Sequence, residues 1–270
     1  MSSVFGARIL EGKVAVITGG GSGINLAIAE TFAAHGASVG LIGRTREKLD
    51  NAAAKIESAG GKAAGFPADV RDYEALTSAI AGAREKFGQI DILVCGAAGN
   101  FPAPALGMSA NGFKAVVDID LLGTFNTCRA AYEHLKKPGA SIVNISAMQA
   151  FIPMAMQVHV CAAKAGVDMI TRTLAIEWGP AGVRINSIAP GAVDETEGMS
   201  RLAPTPEARR QFMQMIPLRR FAMKQEIADL ALFLCSDAAQ FITGAVMVCD
   251  GGQSLATQRS DLLGDATARR

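Results

Sequence analysis

Short apolar runs, each closed by small or polar residues, alternate along the chain with stretches whose apolar positions recur three and four residues apart. The first run, Val14–Thr18, ends at GGGSG, after which Ile24, Ala27, Ile28 and Phe32 share one helical face. This pattern predicts strand, glycine turn and helix. Residues 38–42 read as a second buried strand leading into a helix through Leu49 and Ile56. Residues 64–67 read as a third strand ahead of a helix marked by Tyr73, Leu76, Ile80 and Phe87. A fourth strand is expected over 90–94, and one long helix over about 111–136, carrying Phe113, Val116, Val117, Ile119, Leu121, Phe125 and Leu135. An apolar strand at 142–145 then passes through a proline-broken bend into a helix bearing Lys164, and a sixth strand precedes Pro190. Alternation this regular predicts an α/β fold, a doubly wound parallel sheet flanked by helices.

Composition narrows the picture. A chain of 270 residues, 50% hydrophobic with 29 glycines, suits one domain spanning 1–270. A formal net charge of +1 supplies no bulk attraction to nucleic acid or to an anionic membrane, so any anion must be recognised locally. The five cysteines lie in apolar segments with neither CxxC nor metal-ligand spacing, so no metal is expected and a reducing compartment is. The N-terminal MSSVFGARILEGK has no charged region followed by an apolar core, no run approaches a membrane span, and the C-terminal TARR resembles no common sorting signal, which makes the cytoplasm the expected location.

Candidate chemistry sits where the predicted strands end. The turn after the first strand fits G-x-G-x-x-G poorly, because a start at Gly21 puts the last position on Leu26; its spacing is T-G-x-x-x-G-I. Such a turn either brings backbone amides to a pyrophosphate at a helix N-terminus or is a tight turn without a ligand. The second strand ends at Gly43 and Arg44, where a carboxylate would read a ribose 2′-hydroxyl; glycine and arginine instead leave room and charge for a 2′-phosphate, so NADP(H) is favoured over NAD(H). Arg44, Arg46 and Lys48 also fit the solvated first turn of a helix. Asp69 could accept from an adenine amino group or cap the next helix with Asp72. Asp118 reads as a solvated or helix-packing residue, whereas Asp120, between Ile119 and Leu121, is expected to be partly buried and to need a cationic partner, for which Lys164 is the natural candidate.

From ITGGGSGI, ADV, DILVCGAAG, the Asp120-x-x-Gly123 site, IVNIS, the Lys164 helix, RINSIAPG and ITGAVMVCDGG, the chain resembles the short-chain dehydrogenase/reductases over 10–255. That resemblance implies a Rossmann-type fold. It also exposes departures in the catalytic set: the family tyrosine, four residues before the lysine, is Val160; its serine is Ala147; and the usual asparagine of the fourth helix is Asp120. Asn25 stands for the last loop glycine and Cys95 for an asparagine. Within the family the 2,4-dienoyl-CoA reductases of peroxisomal type are most similar, through AAGNF, DIDLLGTFN, QVHVCAAKAGVDM, LAIEWGP and TEGMSRL, and they too lack the serine and tyrosine. Mitochondrial-type members carry a substitute tyrosine where this chain has Gln149.

The chemistry makes those absences intelligible. A ketone reduction must protonate an oxygen on the spot. Hydride added to a conjugated dienoyl thioester instead gives a dienolate, which needs stabilisation and then a proton on carbon. The resemblance therefore implies Lys164 and Asp120 as the catalytic pair. Cofactor contacts are implied at Gly19, Gly21, Ser22, Gly23, Ile24, Arg44, Asp69, Val70, Ala97, Lys164, Pro190, Gly191, Val193 and Thr196. An acyl-CoA substrate is implied, with Arg71, Phe101 and Arg201 binding it and a lid at about 195–220. A homotetramer built on the helices after Asn111 and Val158 is expected, with no nucleic-acid or membrane partner. His159 reads as a structural or solvent-facing residue more readily than as a substrate contact, Trp178, Met169 and Cys161 as packing, Met213 and Met215 as lining of an apolar groove, and Asp250 as a strand-end residue open to a role in a water network.

Overall fold

The computed structural model describes residues 5, 6 and 8–256; most of the C-terminal tail and the first four residues, on which the sorting-signal reading rests in part, lie outside these. Seven strands form one sheet: β1 Val14–Thr18, β2 Ser38–Gly43, β3 Lys62–Pro67, β4 Ile92–Cys95, β5 Ser141–Ile145, β6 Arg184–Pro190 and β7 Val246–Cys249. All neighbours are parallel, in the order β3-β2-β1-β4-β5-β6-β7. The order reverses between β1 and β4, where the chain leaves the sheet in opposite directions and a crevice opens at the strand C-termini.

Helices cover both faces, as the near-continuous apolar strands require. On one face α1 Gly23–Ala34, α2 Arg46–Ser58 and α9 Lys224–Cys235 pack Ile28, Phe32, Leu49, Ile56, Ile227 and Leu232 against the strands. On the other, α3 Tyr73–Phe87, α5 Gly123–Ala131 and α6 Val158–Trp178 contribute Leu76, Ile80, Cys128, Ala131 and Leu174. Burying a side chain such as Phe32 contributes about 1.5–3 kcal/mol. A separate small cluster, Ala192, Met199, Ala203, Ile216 and Phe221, gathers around α7 Glu197–Leu202 and α8 Pro206–Gln214 beyond β6. Among the described residues, no helix is long and apolar enough to cross a membrane.

The expected single helix over 111–136 is instead three pieces: α4 Ala110–Val116, a π-helical segment Val117–Leu122, and α5, which closes in a 3-10 turn at Tyr132–His134. Gly123 faces Val70 so closely that a Cβ there would lie 2.5 Å from Val70 Cγ2. The hydroxyls of Thr124 and Thr127 donate back to the carbonyls of Asp120 and Gly123 (2.7 Å each), offering that stretch an alternative to the regular ladder. The wide turn leaves Asp118 half-buried, paired with Lys114, and buries Asp120. The third strand also begins earlier than expected and the fourth is shifted toward Cys95, with Ile90 making only an isolated bridge to Leu135.

Candidate active site

A cleft of about 700 Å³ opens over the C-terminal ends of β1, β2, β4, β5 and β6. At its centre lies the glycine turn. Gly19 and Gly23 have φ of +71° and +62°, a region costly for other residues, and a Cβ on Gly19 would approach Ala97 to 3.1 Å. Ser22 caps α1 without a side-chain bond, so the first amides of this 12-residue helix are left for a ligand. Gly19, Gly21, Ser22, Gly23 and Ile24 all line the cleft.

Toward one end stand Gly43, Arg44, Asp69 and Val70. The capping role falls to Asp72, which accepts from Ala75 N at 3.0 Å. Asp69 is instead gripped by Arg71, through its backbone amide and Nε (3.0 Å each) and Nη2 (2.6 Å). The Arg71 guanidinium holds the Asp69 carboxyl below its usual range, with a smaller contribution from the charge of Arg44.

At the other end Lys164, from α6, reaches Asp120 Oδ2 at 3.2 Å and donates to the carbonyl of Ile145 at 2.9 Å. Asp120 Oδ1 accepts from Gly99 N at 2.7 Å. The two side chains are 8% and 1% exposed, so the carboxylate and ammonium compensate each other where solvent cannot. Gly96 and Ala97 lie between the two ends, and Gly96 N donates to Thr18 Oγ1 at 3.1 Å.

Ala147, Gln149 and Val160 form the wall where a serine or tyrosine would supply an acid to oxygen. The Gln149 amide is held by Gln157 Oε1 (3.0 Å) and Met154 Sδ (3.7 Å). A carboxyl that the sequence reading passed over lies one helical turn beyond Lys164. Asp168 is buried, its Oδ1 lacks a hydrogen-bond partner, and burial raises its carboxyl, opposed by the Ser146 and Ser187 hydroxyls and by the charges of Arg172 and Lys164. Its spacing of four from Lys164 was the available signal. Asn25 and Asn100 also line the cleft.

The remaining expected contacts divide. Pro190, Gly191 and Thr196 line the cleft, whereas Val193 lines an adjoining cavity of about 260 Å³ that shares those residues and adds Met199, Leu202 and Phe212. Arg201 stands at the rim, donating to the carbonyl of Asn100 at 2.9 Å and pairing with Glu197. Arg71 and Phe101 do not line either cavity. Arg71 is drawn to Asp69, and the Phe101 ring packs against the imidazole of His159, centroids 4.7 Å apart. His159 is fully buried rather than solvent-facing. Asp250 shapes the turn after β7 by accepting from Gly252 N and Ser254 N, 2.8 Å each. Among the described residues no group of His, Cys, Asp and Glu is arranged to hold a metal.

A family described as enoyl-(acyl carrier protein) reductase matches residues 19–254. The chain is 44% identical over 269 residues to a peroxisomal 2,4-dienoyl-CoA reductase [(3E)-enoyl-CoA-producing] of Arabidopsis thaliana, covering 96% of this chain and 90% of that one. It is 42% identical over 249 residues to a probable 2,4-dienoyl-CoA reductase [(2E)-enoyl-CoA-producing] of Bacillus subtilis (strain 168), covering 91% and 98%. Its fold matches the crystal structure of a gluconate 5-dehydrogenase from Burkholderia cenocepacia J2315 in complex with NADP and tartrate, with a TM-score of 0.87 at 29% identity over 92% of this chain and 98% of the other.

Proposed function

The chain belongs to the short-chain dehydrogenase/reductase family and is an oxidoreductase, and from that premise we propose that it reduces 2,4-dienoyl-CoA to enoyl-CoA with NADPH, as an auxiliary step of fatty-acid β-oxidation. The observation that carries this reading is the buried Lys164–Asp120 pair beside a wall of Ala147, Gln149 and Val160, which offers charge but no acid for an oxygen.

The residues fit a nicotinamide dinucleotide. Uncapped amides at the start of α1 suit a pyrophosphate, Gly19 makes a cradle that a Cβ would fill, and Arg44 beside Gly43 suits a 2′-phosphate. When bound, NADPH supplies a hydride. Lys164 has three donors, of which Asp120 and Ile145 take two, leaving one for a ribose hydroxyl. Its charge stabilises a dienolate formed nearby, and Asp120 orients it or a proton-carrying water. Asp168, whose carboxyl burial pushes up, lies one helical turn from Lys164. Residues 195–220 act as the lid over an acyl-CoA, with Arg201 at its edge. The Bacillus subtilis relative supports a cytoplasmic location over the peroxisomal one named in eukaryotic relatives.

The test is NADPH oxidation with a 2,4-dienoyl-CoA against a 3-oxoacyl-CoA and a 2-enoyl thioester. Turnover of the dienoyl substrate alone supports the reading; turnover of only the others replaces it with reduction of another acyl thioester, and turnover of none leaves a dinucleotide-binding protein.

A further inference from the structure

We infer that Asn25 is a positioning residue that sets the loop between cofactor cleft and catalytic pair. Asn25 is the third residue of α1, at the crevice where strand order reverses. Its Nδ2 donates to the carbonyl of Gly96 at 2.7 Å. The amide of that same Gly96 donates to Thr18 Oγ1 at 3.1 Å, so one residue is clamped on its N–H by β1 and on its C=O by α1. Three residues on, Gly99 N donates to Asp120 Oδ1 at 2.7 Å, and Asp120 in turn holds Lys164. The loop 96–99 thus hangs between the Asn25 clamp and the pair.

The side chain fits because both of its neighbours lack one. A Cβ on Gly19 would lie 2.8 Å from Asn25 Nδ2, and a Cβ on Gly96 would overlap its Oδ1. Asn25 Oδ1 is shut off from solvent without a hydrogen-bond partner. An arrangement that leaves an acceptor unsatisfied is opposed by desolvation, so what the amide contributes must come through its donor. That donor reaches one acceptor, the carbonyl of Gly96.

The test separates a donor from a space-filler, and it rests on the dinucleotide reading of the cleft. Asn25→Asp keeps the shape; ionised, it cannot donate, but protonated it can. The clamped, cofactor-binding state favours the neutral carboxyl, which raises its pKa in that state, so the benefit is present below that pKa and lost as pH rises through it. NADPH binding is followed by fluorescence titration from pH 5 to 8 for the wild type, Asn25→Asp and Asn25→Gly. Expected are a loss of about threefold to tenfold in affinity for Asn25→Gly at every pH, the size of one hydrogen bond, and a comparable loss for Asn25→Asp at pH 8 that closes toward wild type at pH 5. Asn25→Asp tracking the wild type throughout, or matching the Asn25→Gly loss at all pH values, overturns the inference. A wild type that binds no NADPH overturns the dinucleotide reading instead.

Discussion

Lys164 and Asp120 lie in different elements, 44 positions apart, yet their charged atoms meet at 3.2 Å in a place closed to water. Losing the lysine removes the only cation of the buried pair from the cleft floor, and Lys164→Ala should lower turnover by about 10²–10⁴-fold. Asp120→Ala should cut turnover strongly while changing the NADPH dissociation constant little; steady-state rates and fluorescence titration separate the two effects. Arg44 makes no ion pair within the described chain and lines the cleft beside Gly43. Arg44→Ala should weaken NADPH by about 10- to 100-fold, the strength of a charge-assisted bond, and leave NADH nearly unaffected, as parallel titrations would show. At this scale the sequence was informative where chemistry imposes a residue type. A glycine turn, a lone lysine among small neighbours and a carboxylate between isoleucine and leucine are all legible. The surroundings of Arg71 and Phe101 were not legible, because a neighbour decides them: Asp69 draws the arginine and His159 the ring. Asp168 escaped for the converse reason, since burial, which gives it interest, has no signature in a helix of mixed polarity.

Element types followed from apolar periodicity, and six of the seven strands lie within a few residues of where that periodicity puts them. The π-helical segment Val117–Leu122 did not, because a single wide turn shifts the apolar phase by less than the spread of a helical face. Its consequence is local: it separates the half-buried Asp118, paired with Lys114, from the buried Asp120. The close approach of Gly123 to Val70 anchors the end of that turn. Gly123→Ala forces 2.5 Å of separation to open, and should destabilise the fold by about 1–3 kcal/mol, measured as a lower Tm, with turnover falling further than NADPH affinity because Asp120 moves with the segment.

The doubly wound architecture was legible from regular alternation, and the cleft at the strand reversal follows from topology. Phe113, Leu122 and Phe125 on the α4–α5 stretch and Met169 and Ile176 on α6 remain exposed, from 36% to 79%. Apolar surface on the α4–α5 stretch and the neighbouring α6 supports burial against further copies. Light scattering on the purified protein should give a mass near four times 28.0 kDa, and charged substitutions at Phe125 and Ile176 should lower it. A monomer at micromolar concentration would remove that expectation.

Under the proposed reduction of a dienoyl-CoA, the engagement of Lys164 also bears on the enzyme's survival beside a thioester. A free amine beside a thioester is a nucleophile: it attacks the carbonyl, forms an amide, and expels the thiol. In this cleft the Lys164 nitrogen is tied to Asp120 Oδ2 at 3.2 Å and to the Ile145 carbonyl at 2.9 Å. On that reading the tie to Asp120 also guards the lysine against acylation. Asp120→Ala incubated with an acyl-CoA should gain the mass of one acyl group at Lys164 in peptide mass spectra, while the wild type should stay unmodified there.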